Sequence, residues 1–354
     1  PDSDPDQILE MIRSVHNLRE LASQPVLLDM IRQILPTIEV SLKSGNQVRS
    51  VNLYEDFIDQ WLERDDGKHN IVPRHKIQLM SHLASQVWRS GSRTWGADKM
   101  EDWLLEFCEE HKKIVRRSSH DKSDQLTNDF LTATFLSRRG DTFAFAHSSL
   151  LEYFLAKRLA DSLLADSEDE ALATWDITRP NDETYAFLAE LIDHLPAAER
   201  THTLSRFERV GKCGTITART NVFAYILQAL EQGYPHPRPR ALNLSGTDLR
   251  DWKIGSEQTH VDLSGVALTG ARLDDAHIQH VRLDRTDAAG ASMQRALFEH
   301  CSLANTDLTD ADLAGTIFRH CDVKGASLDK ARRHRTQFLH TTGTPQQLSD
   351  TVTA

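Results

Sequence analysis

Two groups of residues have types and spacings that could do chemistry. The first lies in DTFAFAHSSLLEYFLAKRLADSLL, residues 141–164, where His147 and Glu152 open an otherwise apolar helical run. An imidazole there could move a proton or donate a hydrogen bond to a bound anion, and the carboxylate could assist it or belong to the scaffold. The second group is His260, His280, His300, His320 and His340, each twenty residues after the last, within THVDL, QHVRL, EHCSL, RHCDV and LHTTG. Such a row suggests a pH-responsive element, or metal ligation by His280, His300 and His320. A column of histidine alone lacks the converging donors of a structural zinc, so no metal is expected. Simple stacking of like side chains on neighbouring rungs is the plainer account. The pair Gly211-Lys212 in ERVGKCGT lacks the earlier glycine and the following Ser or Thr of a phosphate-binding loop. No HExxH or Ser-His-Asp arrangement is present, and no catalytic site is expected in these residues.

Residues 1–232 carry the periodicity of helices. The runs 18–35, 52–65, 74–91 and 97–113 repeat apolar side chains at steps of three and four, with Asn52 and Asp98 as caps. Around His147 the pattern changes to helix, a hairpin turning at Arg139-Gly140-Asp141, the strand TFAFA, and a further helix. That order is the layout of a winged helix. Trp61, Trp88 and Trp103 sit on helix faces as core, SEDE (167–170) reads as a solvated loop, and residues 116–124 read as an exposed linker. ETYAFLAELIDHL and TNVFAYILQALEQG continue the helices, the last stopping at Gly233. The segment GYPHPRPRA, residues 233–241, places three prolines at two-residue steps, which forbids a helix and favours a stiff, extended connection.

Beyond it the period becomes five. Every fifth residue from Leu263 to Leu328 is apolar, and two positions before each stands Val, Ala, Thr or Cys. Neither an α-helix nor a flat strand repeats every five residues. A coil of four short sides does, with twenty residues to a turn, the large side chain at the centre and the small one at the corner. The pattern extends back through Ile254, Leu249 and Leu244 after a one-residue slip near Glu257, and the histidines should then stack on one outer edge about 4.8 Å apart. Arg333 breaks the central series, so the coil is expected to fray there. Cys301 and Cys321 fall on the inner corner and are expected to be reduced.

The stretches ANTDLTDADLAGTIF and LSGVALTGARLDDA resemble the pentapeptide-repeat family, with its A(D/N)LXX pattern. That resemblance implies a right-handed quadrilateral β-helix over about 242–340. The helical half resembles a different family. NLRELASQPVLLDMIRQIL, then VNLYEDFIDQWLERD, then FAFAHSSLLEYFLAKRLADSL follow the order found just after the nucleotide-binding core of NACHT-type STAND NTPases. By that resemblance Pro25 packs against an adenine base, and His147 contacts the β-phosphate of bound ADP. Glu152 and Tyr153 match the family's structural pair. On the residues alone, Pro25 could equally cap or kink a helix, and His147 could be a core histidine between strand and helix.

The resulting expectation is an α+β multidomain chain. It comprises 1–50 helical, 51–165 winged-helix-like, 166–232 helical, 233–241 linker, 242–340 β-helix and 341–354 tail. The phosphate loop, the magnesium-binding motif and the sensor arginine would lie upstream of Pro1. ADP or ATP with magnesium would then belong to the longer protein, and this chain would bind nucleotide poorly and hydrolyse none. Its expected role is regulation and sensing in prokaryotic signalling or defence, with the β-helix contacting a protein partner and oligomerisation on activation. The alternative is a non-enzymatic pentapeptide-repeat binding module.

Bulk properties narrow the field. The 354 residues carry a net charge of −11, which argues against bulk electrostatic binding of nucleic acid. Residues 240–354 hold 13 basic and 15 acidic side chains, too balanced for a DNA mimic. A winged-helix DNA reader would need a basic recognition helix, and pairs such as Arg116-Arg117 and Arg138-Arg139 are too few to make one in this acidic half. Four cysteines without framework spacing, no apolar run of about 20 residues and no signal peptide suggest a reduced, cytoplasmic protein. The start at proline rather than methionine suggests a piece of something longer.

Overall fold

The structure is a computed structural model that describes residues 49–64, 73–110 and 135–346. Pro25, the helical run 18–35, the linker 116–124 and the tail beyond 346 lie outside the described residues. The chain divides into two compact units. One runs to Ala160 and includes Ala186–Leu191; the other takes Asp161–Tyr185 and everything from Ile192 onward.

In the first unit, α1 (Ser50–Arg64), α2 (Pro73–Arg89), β1 (Trp95–Gly96) and α3 (Ala97–Glu110) precede the hairpin β2 (Leu136–Arg139) and β3 (Thr142–Phe145). Helix α4 (Ser148–Leu164) follows. The strands form an antiparallel sheet in the order β1-β3-β2. Gly140 turns the hairpin with a φ of 62°, a conformation costly for any side chain with a Cβ. The unit's core is aromatic: Phe135 packs on Phe154 at 5.3 Å and on Trp61 at 5.0 Å between ring centroids. Two expected caps are displaced. Asn52 lies inside α1, which begins at Ser50, and Asp98 sits in the first turn of α3, where its charge complements the helix dipole.

The second unit opens with α5 (Glu168–Trp175), where a loop was expected. Ser167 caps it, accepting from the Glu170 amide at 3.4 Å, and the acidic run SEDE stabilises the first turn. Helices α6 (Asp182–His194), α7 (Ala197–Cys213) and α8 (Ile216–Gln232) come next. As expected, α8 ends at Gly233, left-handed at φ 74°, whose amide reaches the carbonyls of Ala229 and Leu230. Gly211-Lys212 lies near the end of α7, with Gly211 buried.

Residues 234–238 form neither helix nor strand, and Pro239–Ala241 make a short 3₁₀ turn where a fully extended connection was expected. Arg238 donates to both carboxylate oxygens of Glu208 on α7, at 2.7 and 2.8 Å. Tyr225 donates its hydroxyl to the Pro235 carbonyl at 2.7 Å. The helices cover the first turn of the coil that follows. Trp252 is stacked on Phe223 at 5.8 Å and 7°, and the Arg179 guanidinium lies 4.4 Å from its ring centroid. Arg219 donates to the carbonyls of Asn243 and Ser245 at 2.9 and 3.2 Å. A repeat stack needs such a cover on its terminal turn, because each turn otherwise buries its apolar face only against neighbours.

The remainder is a β-solenoid of about four turns, as the five-residue period requires. All the large and small apolar sites from Val261 to Leu328 are buried. Paired residues stand twenty apart, as in His277–Leu297 and Leu297–Ile317, but the first turn is longer. Lys253 pairs with His277 and Asn243 with Ala267, a spacing of 24. The slip near Glu257 is therefore an insertion of four residues, indistinguishable from minus one in a period of five. Corner hydroxyls and thiols reach back to the previous turn. Thr286, Thr306 and Thr316 donate to the carbonyls of Leu263, Leu283 and Met293, while the free thiols of Cys301 and Cys321 approach those of Ile278 and Phe298.

The coil does not fray at Arg333. Strand pairing continues at Gln337–Leu339, and backbone bonds run on to Gln346, whose amide donates to Ala326. Among the described residues no further turn lies on this one, so a long basic side chain at a central position reaches water here. No described helix is long and apolar enough to cross a membrane.

Candidate functional site

His147 stands immediately before the first residue of α4. Its Nδ1 accepts the backbone N–H of Ser149 at 3.2 Å and lies 2.7 Å from the Ser149 hydroxyl. The imidazole therefore caps the helix, taking one of the four amide donors that a helix leaves unpaired at its start. A neutral ring accepting at Nδ1 carries its hydrogen on Nε2. Glu152 is buried one turn further on. Tyr153 stacks on Tyr54 at 5.6 Å and meets Phe187 edge-on at 5.7 Å, so this pair is packed scaffold. The structure places His147 in the first unit and all five repeat histidines in the second.

The repeat histidines form one column. Neighbouring rings from His260 to His340 lie 5.0, 5.0, 4.9 and 5.0 Å apart, with interplanar angles of 3°, 9°, 7° and 13°. The expected rung spacing is met. Parallel rings point like nitrogens side by side rather than at one centre. Among the described residues no group of three or more His, Cys, Asp or Glu could hold a metal ion. His280, His300 and His320 stand as parallel stacked rings in that column and do not converge on one point.

Sequence reasoning missed why histidine can occupy this column. Every fifth residue from Gly265 to His340 has φ between 52° and 74°. These are left-handed corners, the third residue of a turn that favours Gly, Asn, Asp and, less often, His. The column therefore stands at the vertices of the coil. Its rings are half-buried at His280 and exposed at the other four.

Beside the column lies a continuous parallel sheet, β10-β9-β8-β6-β4, built from Gln337–Leu339, Ile317–Arg319, Leu297–Glu299, His277–Gln279 and Lys253–Ile254. Its inner row stacks Phe298, Phe318 and Phe338 at 4.9 and 5.0 Å. One outer row carries Leu297 and Ile317 on successive rungs, and the other carries Glu299, Arg319 and Leu339, the last 37 % exposed. Glu299 holds a bridge across three rungs, to His277 Nε2 at 2.8 Å and Arg319 Nη1 at 2.6 Å. The His277 hydrogen bond, then Arg319 against the opposing effect of burial, keep this carboxyl below the ordinary glutamate range.

These features define a β-solenoid with one ordered sheet face. Residues 291–329 match the family described as pentapeptide repeats, in eight copies, and the chain carries a pentapeptide-repeat domain. Comparison with curated proteins found no match. Among solved structures, the chain is similar to HetL, a pentapeptide repeat protein involved in heterocyst differentiation regulation from the cyanobacterium Nostoc sp. strain PCC 7120. Identity is 27%, over 27% of this chain and 48% of that one, with a TM-score of 0.18. A pentapeptide repeat protein from the Arabidopsis thaliana thylakoid lumen matches at 25% identity over 27% of this chain and 61% of that one, with a TM-score of 0.14. Rfr23 from the cyanobacterium Cyanothece 51142 matches at 15% over 28% and 85%, with a TM-score of 0.16. The chain thus spans about half the length of HetL.

Proposed function

We propose that this chain is the regulatory and sensing portion of a NACHT-type STAND NTPase, in which the helical part reads nucleotide state and the pentapeptide-repeat solenoid recognises a protein partner. The observation that carries the reading is His147. It stands after a strand and at the head of a helix, in the family's motif order, where an imidazole can donate a hydrogen bond to a phosphate oxygen. Phosphate binding at a helix start also gains from the dipole. On this reading the nucleotide and its magnesium are held by a core N-terminal to Pro1, Pro25 packs against the base, and no residue described here performs hydrolysis. The solenoid supports the recognition role because a rigid stack presents a long, regular surface.

The test is the nucleotide content of the natural full-length protein, purified with wild-type His147 and with His147→Asn. Tightly held ADP in the first and its loss in the second support the reading. Equal nucleotide in both, or none in either, refutes it. A second reading is a non-enzymatic binding module, favoured by the family match falling entirely within the solenoid at 291–329. Absence of nucleotide from the full-length protein would select it.

A further inference from the structure

Charge is distributed unevenly along the coil. Residues 242–320 hold seven basic and twelve acidic side chains, whereas residues 321–340, the last complete turn among the described residues, hold five basic and two acidic. An acidic body thus ends in a basic turn. Of the five cations, Arg332 is engaged by Asp312 at 2.9 Å. Lys324, Lys330 and Arg335 are exposed and make no ion pair among the described residues. Lys330 and Arg335 occupy left-handed corners, at φ 52° and 60°, on the edges of the coil.

The same turn ends the described ladder. On the rung before it, the amides of Gly315 and His320 donate to the carbonyls of His334 and Leu339 at 2.8 and 2.9 Å. The carbonyls of Ala311 and Thr316 likewise accept from Arg332 and Gln337 at 2.8 and 2.9 Å. One rung later, the equivalent amides of Arg335 and His340 and the equivalent carbonyls of Ala331 and Thr336 meet no further rung among the described residues. Strand β10 (Gln337–Leu339) is accordingly the edge of its sheet. Its middle is apolar: Phe338 stacks on Phe318 at 5.0 Å but is only half-buried, and Leu339 is exposed. An edge strand offers its unpaired donors and acceptors to another extended backbone.

We propose that this open end of the solenoid, β10 with Lys330 and Arg335 on its rim, docks an extended acidic segment of a partner protein as a further strand. The backbone edge selects a peptide, and the excess of cations selects its charge. Alternate side chains of such a strand face opposite ways, so apolar residues cover Phe338 while carboxylates turn outward to the basic rim. A second copy of this end would bring five cations against five, which opposes end-to-end stacking. A nucleic acid would answer the charge but not the edge, because its backbone has no alternating amide donors and acceptors.

This inference rests on the recognition half of the proposed function and is independent of the nucleotide half. The probe is a fluorescein-labelled peptide of about ten residues in which glutamate alternates with valine, titrated by anisotropy against the full chain. The expected result is binding that falls as salt rises from about 50 to about 300 mM. The double variant Lys330→Glu, Arg335→Glu should weaken it at least about tenfold. Arg285→Glu, at an exposed corner outside this turn, should leave it unchanged. Replacing two valines of the peptide by proline should abolish binding, since proline lacks the amide donor that a ladder needs.

The proline peptide bound as tightly as its parent, or equal weakening by Arg285→Glu, overturns the proposal. So does a single-stranded DNA oligomer bound with the same dependence on Lys330 and Arg335, which would make the end a general polyanion patch. A dimer in sedimentation that the double variant dissociates makes a second copy the occupant and also overturns it. If the full chain binds no peptide, the proposal fails; binding restored by a stop after Gln346 would then make residues 347–354 the occupant. Should the double variant lose its circular dichroism, the parent and proline peptides on the unaltered chain still decide. None of these changes touches His147, so nucleotide content and peptide binding fail separately.

Discussion

Replacing His147 by Ala and by Asn separates the two things this residue does. Alanine removes the Nδ1 acceptor, leaving the Ser149 amide unpaired at the helix start, a loss of about 1 kcal/mol for a typical cap. It also strips the buried Ser149 hydroxyl of its partner at 2.7 Å, adding about 1–2 kcal/mol. Asparagine is among the best caps, and its Oδ1 can take over both bonds. His147→Ala is therefore expected to cost about 2–3 kcal/mol and His147→Asn less than about 0.5. The assay is urea unfolding of the chain followed by tryptophan fluorescence, with Ser149→Ala added to His147→Ala as a check. That second change should recover about 1 kcal/mol, because it deletes the orphaned hydroxyl. Equal costs for Ala and Asn refute the capping argument. A stable Asn variant that nevertheless loses nucleotide in the full-length protein isolates the phosphate contact from the fold.

The solenoid and its helical cover yield three more expectations. Phe318→Ala should cost about 3–5 kcal/mol, since that ring is 1 % exposed and stacked on both sides, while Phe338→Ala on the open last turn should cost less than half as much in the same urea assay. Gly211→Ala should destabilise by about 1–3 kcal/mol, because its Cβ would lie 2.3 Å from Leu242 Cδ2 and 3.1 Å from Val222 Cγ1; a neutral thermal midpoint would mean that Leu242 simply swings away. Glu299 and Glu208 both have pKa values lowered on folding, the first chiefly by His277 and the second chiefly by Arg238. Their stabilisation is present above the unfolded glutamate range near about 4.3 and is lost as pH falls through the lower folded values. Acid titration of Arg319→Leu should accordingly show a smaller loss below about pH 4 than wild type.

The solenoid was legible because its constraint is local and repeated. One residue in five must fill a narrow interior and another must fit a corner, so side-chain size alone marks the register from Leu263 to Leu328. Departures from the period were less legible. An insertion of four residues between Ile254 and Val261 and a slip of one give the same phase, and only strand pairing tells them apart. Arg333 misled for a different reason. A central position is apolar only where a further turn covers it, and the sequence does not say which turn is last. SEDE looked solvated because its composition is that of a surface loop, yet an acidic first turn behind Ser167 is equally a helix start. Choosing between these required knowing that Ala171 and Trp175 are buried beneath it.

The candidate sites were visible as residues and not as surfaces. The twenty-residue spacing predicted that the histidines would stack, and the rings do so at 4.9–5.0 Å. It did not reveal the left-handed corner, because φ is set by the turn and the fifth-position residues are chemically mixed on three edges out of four. Nor did it reveal the sheet face, since Leu297 and Ile317 occupy positions filled elsewhere mostly by polar residues, and a single apolar residue there carries no signal. Only when rungs are laid on one another do two such residues become adjacent. The interior of a solenoid is read along the chain, but its binding surface is read across it, at intervals of twenty. The column of histidines is the one outer feature regular enough to be seen both ways. It is therefore the first place to perturb.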